Sequence, residues 1–304
     1  MVTPMAPPPV VDNLVIIGLG LIGGSLAASM KAKRACKQVI AVVREQENAD
    51  IALKNGIIDR FCLSIDDIAG ELSADDLIFI AVPALSVEKI LSAIKQAQVS
   101  ASVTITDGTS VKGSVVSAAM EVYGRVPKQF VPGHPIAGSE QHGVTAANGA
   151  LYSNHRVILT PLSTTDPAHQ LRVTKMWQAV GAEVLTMSVA EHDEVLAATS
   201  HLPHVIAYTL VDTLCRDRHR KTIFRYTAGG FRDFIRIVSS SPTMWHDIVL
   251  TNREAVLRSI ESFQQGLADI HRAIETADSD YLLTLFTQAK TARDNFSKTI
   301  DRQR

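Results

Sequence analysis

The chain of 304 residues is 46% hydrophobic and 20% charged, with a formal net charge of −1, which is typical of a globular protein with room for two domains. The near-neutral charge gives no electrostatic reason to expect nucleic acid or an anionic membrane as a partner. No apolar run reaches the roughly 18 residues that a membrane-spanning helix needs. The three cysteines are widely spaced and predict neither a disulfide framework nor a zinc site, which fits a reducing compartment. We therefore expect a cytoplasmic protein.

The first part of the chain alternates short apolar runs with helical stretches. We expect residues 1–11, rich in proline, to form a disordered leader and residues 12–187 to form the first domain. Its predicted strands are Leu14–Ile17, Val39–Val43, Leu77–Val82, Val103–Thr106, Val157–Thr160 and Glu183–Met187. Apolar runs separated by helices predict a doubly wound parallel sheet that is covered on both faces.

A glycine-rich turn follows the first strand and opens the helical stretch 25–33. In Gly18-Leu19-Gly20-Leu21-Ile22-Gly23, the first glycine makes the tight turn, the second lets a pyrophosphate approach the backbone, and the third allows close helix–strand packing. The helix N-terminus then offers unpaired N–H groups to the phosphates. This context predicts a Rossmann-type dinucleotide site rather than a structural glycine turn.

The second predicted strand bears on the choice of cofactor. An acid about 20 residues beyond the last glycine would bind the ribose of NAD, but Val43 stands there and Arg44 follows. A guanidinium at this position suits the 2′-phosphate of NADP. The sequence therefore favours NADP, and NAD remains possible if Glu45 binds the ribose and Arg44 is only a surface charge.

Four later segments concentrate polar residues. They are Asp107–Lys112, Gly133–Glu140, Ser200–His204 and Gly229–Arg236. The first two follow the sheet, at whose carboxyl edge ligands of open α/β folds bind. His201 and His204 share one face of a predicted helix and would suit a metal, but no third ligand is evident, so we predict no metal site.

Residues 188–304 carry no convincing strand and are expected to form an all-helical domain. Two apolar stripes with helical spacing lie near the C-terminus. They are Val256, Ile260, Phe263, Leu267, Ile270 and Ile274, and then Leu282, Leu285, Ala289, Ala292 and Phe296. Such stripes predict packing within the domain or a dimer seam.

Together, these segments resemble the prephenate/arogenate dehydrogenase family. The resemblance runs from about Leu14 to about Thr299 and is carried by the stretches HPIAGSE, SHLPH and GGFRDFIRI. It implies a Rossmann domain followed by a helical domain that forms a homodimer. It also implies an oxidative decarboxylation of prephenate or arogenate in tyrosine biosynthesis, in which hydride leaves C4, the C4 hydroxyl loses its proton and CO2 departs.

The resemblance also implies roles for individual residues. His134 matches the catalytic histidine that accepts the hydroxyl proton, a task suited to its near-neutral pKa, and Ser110 matches a serine that hydrogen-bonds this histidine near the nicotinamide. Arg236 matches the arginine that holds the ring carboxylate, and His204 a histidine at the substrate side chain. The residues implied to support the substrate are His201, Glu140 and Asp233. The residues expected at the cofactor are Gly18, Gly20, Leu21, Ile22, Gly23, Arg44, Val82, Pro83 and Ser110.

Two other functions fit parts of the pattern. Another two-domain dehydrogenase, of the 3-hydroxyacid dehydrogenase or imine reductase type, would have a helical second half but usually relies on a lysine there. A binding protein that senses NADP without chemistry would not need a serine–histidine pair together with a carboxylate-binding arginine. Ser110 would also suit a simpler role as the cap of the helix that starts near Lys112.

Overall fold

The computed structural model describes residues 8–139, 141 and 143–301. The chain up to Arg253 forms one compact unit, and the chain from Glu254 onward forms another. The strands are β1 (Val11–Ile17), β2 (Cys36–Val42), β3 (Arg60–Cys62), β4 (Leu77–Ile80), β5 (Thr104–Asp107), β6 (Phe130–Val131), β7 (Gly133–Ile136), β8 (Arg156–Leu159) and β9 (Glu183–Thr186). The helices are α1 (Leu21–Ala32), α2 (Gln46–Lys54), α3 (Val87–Gln96), α4 (Lys112–Tyr123), α5 (Pro167–Ala179), α6 (Val189–Leu196), α7 (Leu202–Arg216), α8 (Arg220–Arg225), α9 (Gly229–Ile235), α10 (Pro242–Thr251), α11 (Arg253–Glu275) and α12 (Ser279–Asp301).

The main sheet has six parallel strands in the order β3-β2-β1-β4-β5-β6. The two halves of the sheet, β3-β2-β1 and β4-β5-β6, meet between β1 and β4, where the strand order reverses as in dinucleotide-binding folds. The predicted Rossmann-type sheet is thus confirmed. The carboxyl ends of β1, β4 and β5 lie side by side, so the loops that follow them meet at one edge.

Side chains of β1 alternate between two hydrophobic cores, because successive residues of a strand point to opposite faces. Leu14 and Ile16 pack in a core with α1 and α5, whereas Val15 and Ile17 pack in a core with α3 and α4. Both faces of the sheet are therefore covered, as the near-continuous apolar runs predict.

The last two predicted strands, β8 and β9, do not join the main sheet. They form a separate three-stranded sheet with β7, in which β7 and β8 are antiparallel and β8 and β9 are parallel. Pro132 separates β6 from β7. It has no N–H to extend the pairing of β6 with β5, and its carbonyl oxygen accepts the N–H of Thr160, just beyond β8, at 2.9 Å. The sequence patterns also missed β3, β6 and β7, each of which has four residues or fewer.

The leader begins outside the described part of the chain. Residues 1–7 are not described, and Val11, the last residue assigned to the leader, is already the first residue of β1 and is buried. The strand therefore starts earlier than the apolar run Leu14–Ile17 predicts.

From Ser188 onward the described chain is helical, as predicted. A π-helical turn, Ala197–His201, joins α6 to α7, and such turns are frequent at functional sites. Within the first unit, α6 packs on α4, and α10 packs on the short turn Ala84–Ser86 that follows β4. These helices therefore lie at the carboxyl edge of the main sheet.

The second unit contains the two long helices predicted from the apolar stripes. Large apolar side chains face solvent on both, including Phe263, Leu267 and Ile274 on α11 and Leu283 and Phe286 on α12. Packing within this single chain thus leaves much of these helices uncovered. Among the described residues, none of the helices has the length and apolar content to cross a membrane.

Candidate active site

The glycine-rich turn has the geometry that its sequence predicts. Gly18 has φ +105°, and a Cβ on it would lie 2.4 Å from the carbonyl oxygen of Ala81 on the next loop. A Cβ on Gly23 would lie 2.1 Å from the carbonyl oxygen of Gly18. Both positions therefore require glycine, the first for the turn and the second for close packing of α1 on β1.

Gly20 differs from its two neighbours in the motif. It is the residue before α1, has nothing within 4 Å of the position of a Cβ, and makes no side-chain cap. The first N–H groups of α1, including those of Leu21 and Ile22, have no intrahelical acceptor. The space in front of α1 and these donors fit a pyrophosphate.

Three other residues predicted to contact the cofactor lie on loops next to this turn. Val82 and Pro83 follow β4, and Ala81 of the same loop donates its N–H to Ile17 at 2.8 Å. Arg44 follows β2, the other neighbour of β1, and is exposed, whereas Val43 is buried. All these loops leave the same edge of the sheet.

A completely buried ion pair organises the end of β5. Lys112 Nζ lies 2.5 Å from Asp107 Oδ2 and 2.5 Å from the carbonyl oxygen of Gly133, and both charged side chains are 0% exposed. Asp107 also accepts hydrogen bonds from Thr109 and, at 3.1 Å, from the N–H of Gly133. The pair thus fixes the residues that precede Ser110 and His134.

His134 lies on β7, directly before Pro135. It pairs with Ile158 of β8, and its side chain is buried. Burial, reinforced by His192, Lys112 and His201, lowers the pKa of His134 well below its ordinary value. The ring is therefore neutral at pH 7, which is the form that a general base needs.

The hydrogen-bond partner of His134 differs from the expected one. Its Nδ1 lies 2.9 Å from Nε2 of the buried His192 on α6, and the structure shows no hydrogen bond to it from Ser110 within the described chain. Ser110 follows β5 and is partly exposed. It does not cap α4 either: the residue before that helix is Val111, and the first N–H groups of α4 bind Asp193.

His201 and His204 both contact Trp245 of α10, but their environments differ. His201 is buried, its Nδ1 lies 3.2 Å from Nδ2 of Asn252, and burial, opposed by the charge of Asp193, lowers its pKa to about 4. His204 stacks on the Trp245 ring with a centroid distance of 3.6 Å, and its Nδ1 binds the carbonyl oxygen of Ser200 at 2.9 Å. Trp245 therefore fixes the plane of the His204 ring.

Two of the remaining predicted substrate residues lie on α9 or directly after it. Asp233 is exposed on α9, and Arg236 is exposed in the short turn Arg236–Ser239 that follows it. This segment packs against α7, the helix of His204. Glu140 lies outside the described residues. No group of three His, Cys, Asp or Glu side chains in the described part of the chain is arranged as metal ligands.

Sequence reasoning missed His192, Asp193 and Asn252, which connect α6 and α10 to the predicted site. Asn252 donates to the carbonyl oxygen of Asp193 at 2.8 Å. The adjacent His192-Asp193 near the start of α6 was a visible signal, but nothing in the sequence indicates that these side chains reach β7 and α4.

Comparisons with known proteins agree with the geometry. The profile described as "Prephenate dehydrogenase, nucleotide-binding domain" matches residues 26–186, and the profile described as "Prephenate dehydrogenase, dimerization domain" matches residues 188–288. Cyclohexadienyl dehydrogenase of Zymomonas mobilis is 36% identical over 289 residues, which cover 93% of this chain and 96% of that protein.

Solved structures show the same similarity. Prephenate dehydrogenase from A. aeolicus, in complex with hydroxyphenyl propionate and NAD+, has a TM-score of 0.87 and 34% identity, covering 94% of this chain and 98% of that one. Synechocystis arogenate dehydrogenase has a TM-score of 0.79 and 25% identity, covering 93% and 99% of the two chains.

Proposed function

Because this chain belongs to the prephenate dehydrogenase family, we propose that it catalyses the oxidative decarboxylation of prephenate, arogenate or both, with NADP or NAD. The products would be 4-hydroxyphenylpyruvate and tyrosine, respectively. The observation that carries the proposal is a buried, neutral His134 fixed next to the end of β5, at the same edge of the sheet as the glycine-rich turn and separated from β1 by β4. Neither a lysine-based dehydrogenase nor a non-catalytic NADP sensor accounts for this histidine as well.

The residues around the glycine-rich turn fit a pyridine nucleotide. The open space at Gly20 and the donors of α1 accommodate the pyrophosphate, and Val82 and Pro83 lie on the neighbouring loop. Arg44 is exposed at the end of β2, where its guanidinium would reach a 2′-phosphate. We propose NADP as the preferred cofactor and NAD as the alternative. When bound, the nicotinamide accepts the hydride from C4 of the substrate.

The protein groups supply a base and an anchor. His134 takes the proton of the C4 hydroxyl, since its ring is neutral and one nitrogen remains available. Arg236 binds the ring carboxylate through a planar fork, and His204, held against Trp245, contacts the substrate side chain. Ser110 orients the hydroxyl and the nicotinamide, with His201, Asp233 and Glu140 in support. Loss of CO2 and aromatisation provide the driving force, so positioning is the main task of the protein.

The assembly that we propose is a homodimer in the cytoplasm. Residues 188–288 match a dimerization domain, and α11 and α12 expose large apolar side chains that a second copy would cover.

The test is a kinetic matrix of prephenate and arogenate against NAD and NADP, with His134→Asn and Arg236→Ala. We expect His134→Asn to lower kcat by about 10²–10⁴-fold without a change in cofactor affinity. Arg236→Ala should chiefly raise the substrate KM. A fully active His134→Asn enzyme, or no turnover in any of the four combinations, would contradict the proposal.

Arg44→Ala tests the cofactor preference separately. It should weaken binding of NADP and leave that of NAD unchanged, because only NADP has the 2′-phosphate. Glu47→Ala, one turn further along and also exposed, is a matched control. Equal losses for both cofactors would refute the role of Arg44.

A further inference from the structure

A chain of hydrogen bonds runs from His134 to the N-terminus of α4. Nδ1 of His134 lies 2.9 Å from Nε2 of His192, and Nδ1 of His192 lies 2.8 Å from Oδ1 of Asp193. The same carboxylate accepts the backbone N–H of Lys112 at 2.9 Å and that of Gly113 at 2.7 Å. Asp193 thus binds the positive end of α4 and one histidine ring at the same time.

The order of donors in this chain follows from its carboxylate end. Burial acts to raise the pKa of Asp193, but the hydrogen bonds from His192, Lys112 and Gly113 outweigh it and hold that pKa below its ordinary value. An ionised carboxylate only accepts hydrogen bonds, so Nδ1 of His192 carries a hydrogen. Burial lowers the pKa of His192, in spite of Asp193, so its ring is neutral.

In a neutral imidazole, one nitrogen donates and the other accepts. Because Nδ1 of His192 donates to Asp193, Nε2 of His192 accepts, and its partner, Nδ1 of His134, must donate. His134 is also neutral, so its Nε2 carries the lone pair.

We propose that His192, held by Asp193, is a positioning residue that fixes His134 in its Nδ1–H tautomer and leaves Nε2 as the basic nitrogen for the reaction. The proposal rests on the proposed function for the identity of that reaction. It assigns to two residues of α6 the task that a carboxylate performs directly in a Ser-His-Asp triad, namely to hold the tautomer and orientation of the base.

The groups that face the two rings are consistent with this role. Lys112 and His201 lie near His134 and disfavour a positive charge on it, whereas Asp193 and Asp107 act in the opposite direction on His192. Among residues of the described chain, Nε2 of His134 has no hydrogen-bond partner, and so it remains available to a substrate hydroxyl.

The first test measures the tautomer directly and needs no substrate. In full-length protein with 15N-labelled histidine rings, long-range 1H–15N correlations distinguish Nδ1–H from Nε2–H, and the His134→Asn variant assigns the signal. We expect Nδ1–H in the wild type. We expect a mixture or the opposite tautomer in Asp193→Ala, because Nδ1 of His192 then loses the carboxylate that fixes its own tautomer.

The second test compares two variants of His192 by kinetics. His192→Leu removes the acceptor, and we expect kcat to fall by about 10²-fold with little change in the substrate KM or the cofactor Kd, within the range for a misplaced base. His192→Gln keeps an acceptor for His134, so we expect it to restore kcat to within about tenfold of the wild type. His155→Gln, on an exposed histidine, is the control and should change nothing.

The outcomes separate this inference from the proposed function. An Nε2–H signal for His134 in the wild type, or a His192→Leu enzyme with unchanged tautomer and kcat, overturns the inference. Equal losses in His192→Leu and His192→Gln also overturn it, because they indicate a packing role. An Nδ1–H signal that is lost in His192→Leu supports it, even if neither prephenate nor arogenate is turned over, in which case only the proposed function fails.

Discussion

Replacement of Lys112 by methionine should destabilise the protein strongly, because it leaves a buried carboxylate without its counter-ion. Lys112 and Asp107 are both 0% exposed, and their charged atoms are 2.5 Å apart. The ammonium also binds the carbonyl oxygen of Gly133 at 2.5 Å and Oγ1 of Thr109 at 3.2 Å. Methionine has a similar length but no N–H group, so the carbonyl oxygen of Gly133 and Oγ1 of Thr109 lose the hydrogen bonds that the ammonium donates.

The magnitude follows from this burial. Removal of one partner of a buried ion pair typically costs about 3–5 kcal/mol, whereas an exposed pair contributes about 0–1 kcal/mol. Asp107 keeps donors from Thr109 and Gly133, which limits the cost to that range. A double variant, Lys112→Met with Asp107→Asn, removes the unpaired charge, so its loss should be smaller than the sum of the two single losses by at least about 1 kcal/mol.

Urea unfolding of the four proteins of this cycle measures the free energy of unfolding and its slope. Lys37→Met is the control, since Lys37 forms a 2.6 Å pair with Asp12 at the surface, where the lysine is 63% exposed. The reasoning is refuted if Lys112→Met costs no more than Lys37→Met, or if the losses in the cycle are additive.

Three further predictions follow from the fold. Gly23→Ala should cost about 1–3 kcal/mol of stability through overpacking, whereas Gly20→Ala should change stability by no more than about 0.5 kcal/mol and weaken cofactor binding. Thermal melts measure the stability and calorimetric titration with NADP measures the binding; equal losses of stability in the two variants would contradict the prediction. The pKa of His201 falls to about 4 on folding, so between about pH 6.5 and about 4 the unfolded chain binds a proton on this histidine that the folded chain does not. Stability should therefore drop over this range as the pH falls, by about 3 kcal/mol for this residue. Urea unfolding at several pH values should show a shallower decline in His201→Asn than in the wild type, and an equal decline would contradict the prediction. Leu267→Lys should convert a dimer into a monomer in light scattering, because it charges the exposed stripe of α11, and Leu63→Lys, at an exposed apolar residue of the first unit, should not.

Local sequence determined the nucleotide-binding half to a large extent. The turn at Gly18 and the packing at Gly23 depend on contacts within one strand–turn–helix unit and its neighbouring strand, and a glycine pattern encodes them directly. The apolar runs likewise predicted six strands and the covered sheet, since burial on both faces requires such runs. The helical second half and its two apolar stripes were readable because helical periodicity extends over many residues.

Tertiary structure alone decided which distant residues meet at the site. The 2.9 Å contact of His134 with His192 joins positions 58 residues apart, and Asp193 binds the start of α4 across 80 residues. It also decided that β8 and β9 join β7 and not the main sheet, since strand partners depend on contacts between distant segments and not on the strands' own composition. A hydrogen bond between side chains far apart in sequence leaves no periodicity or spacing to read, because only the folded backbone brings its donor and acceptor within reach.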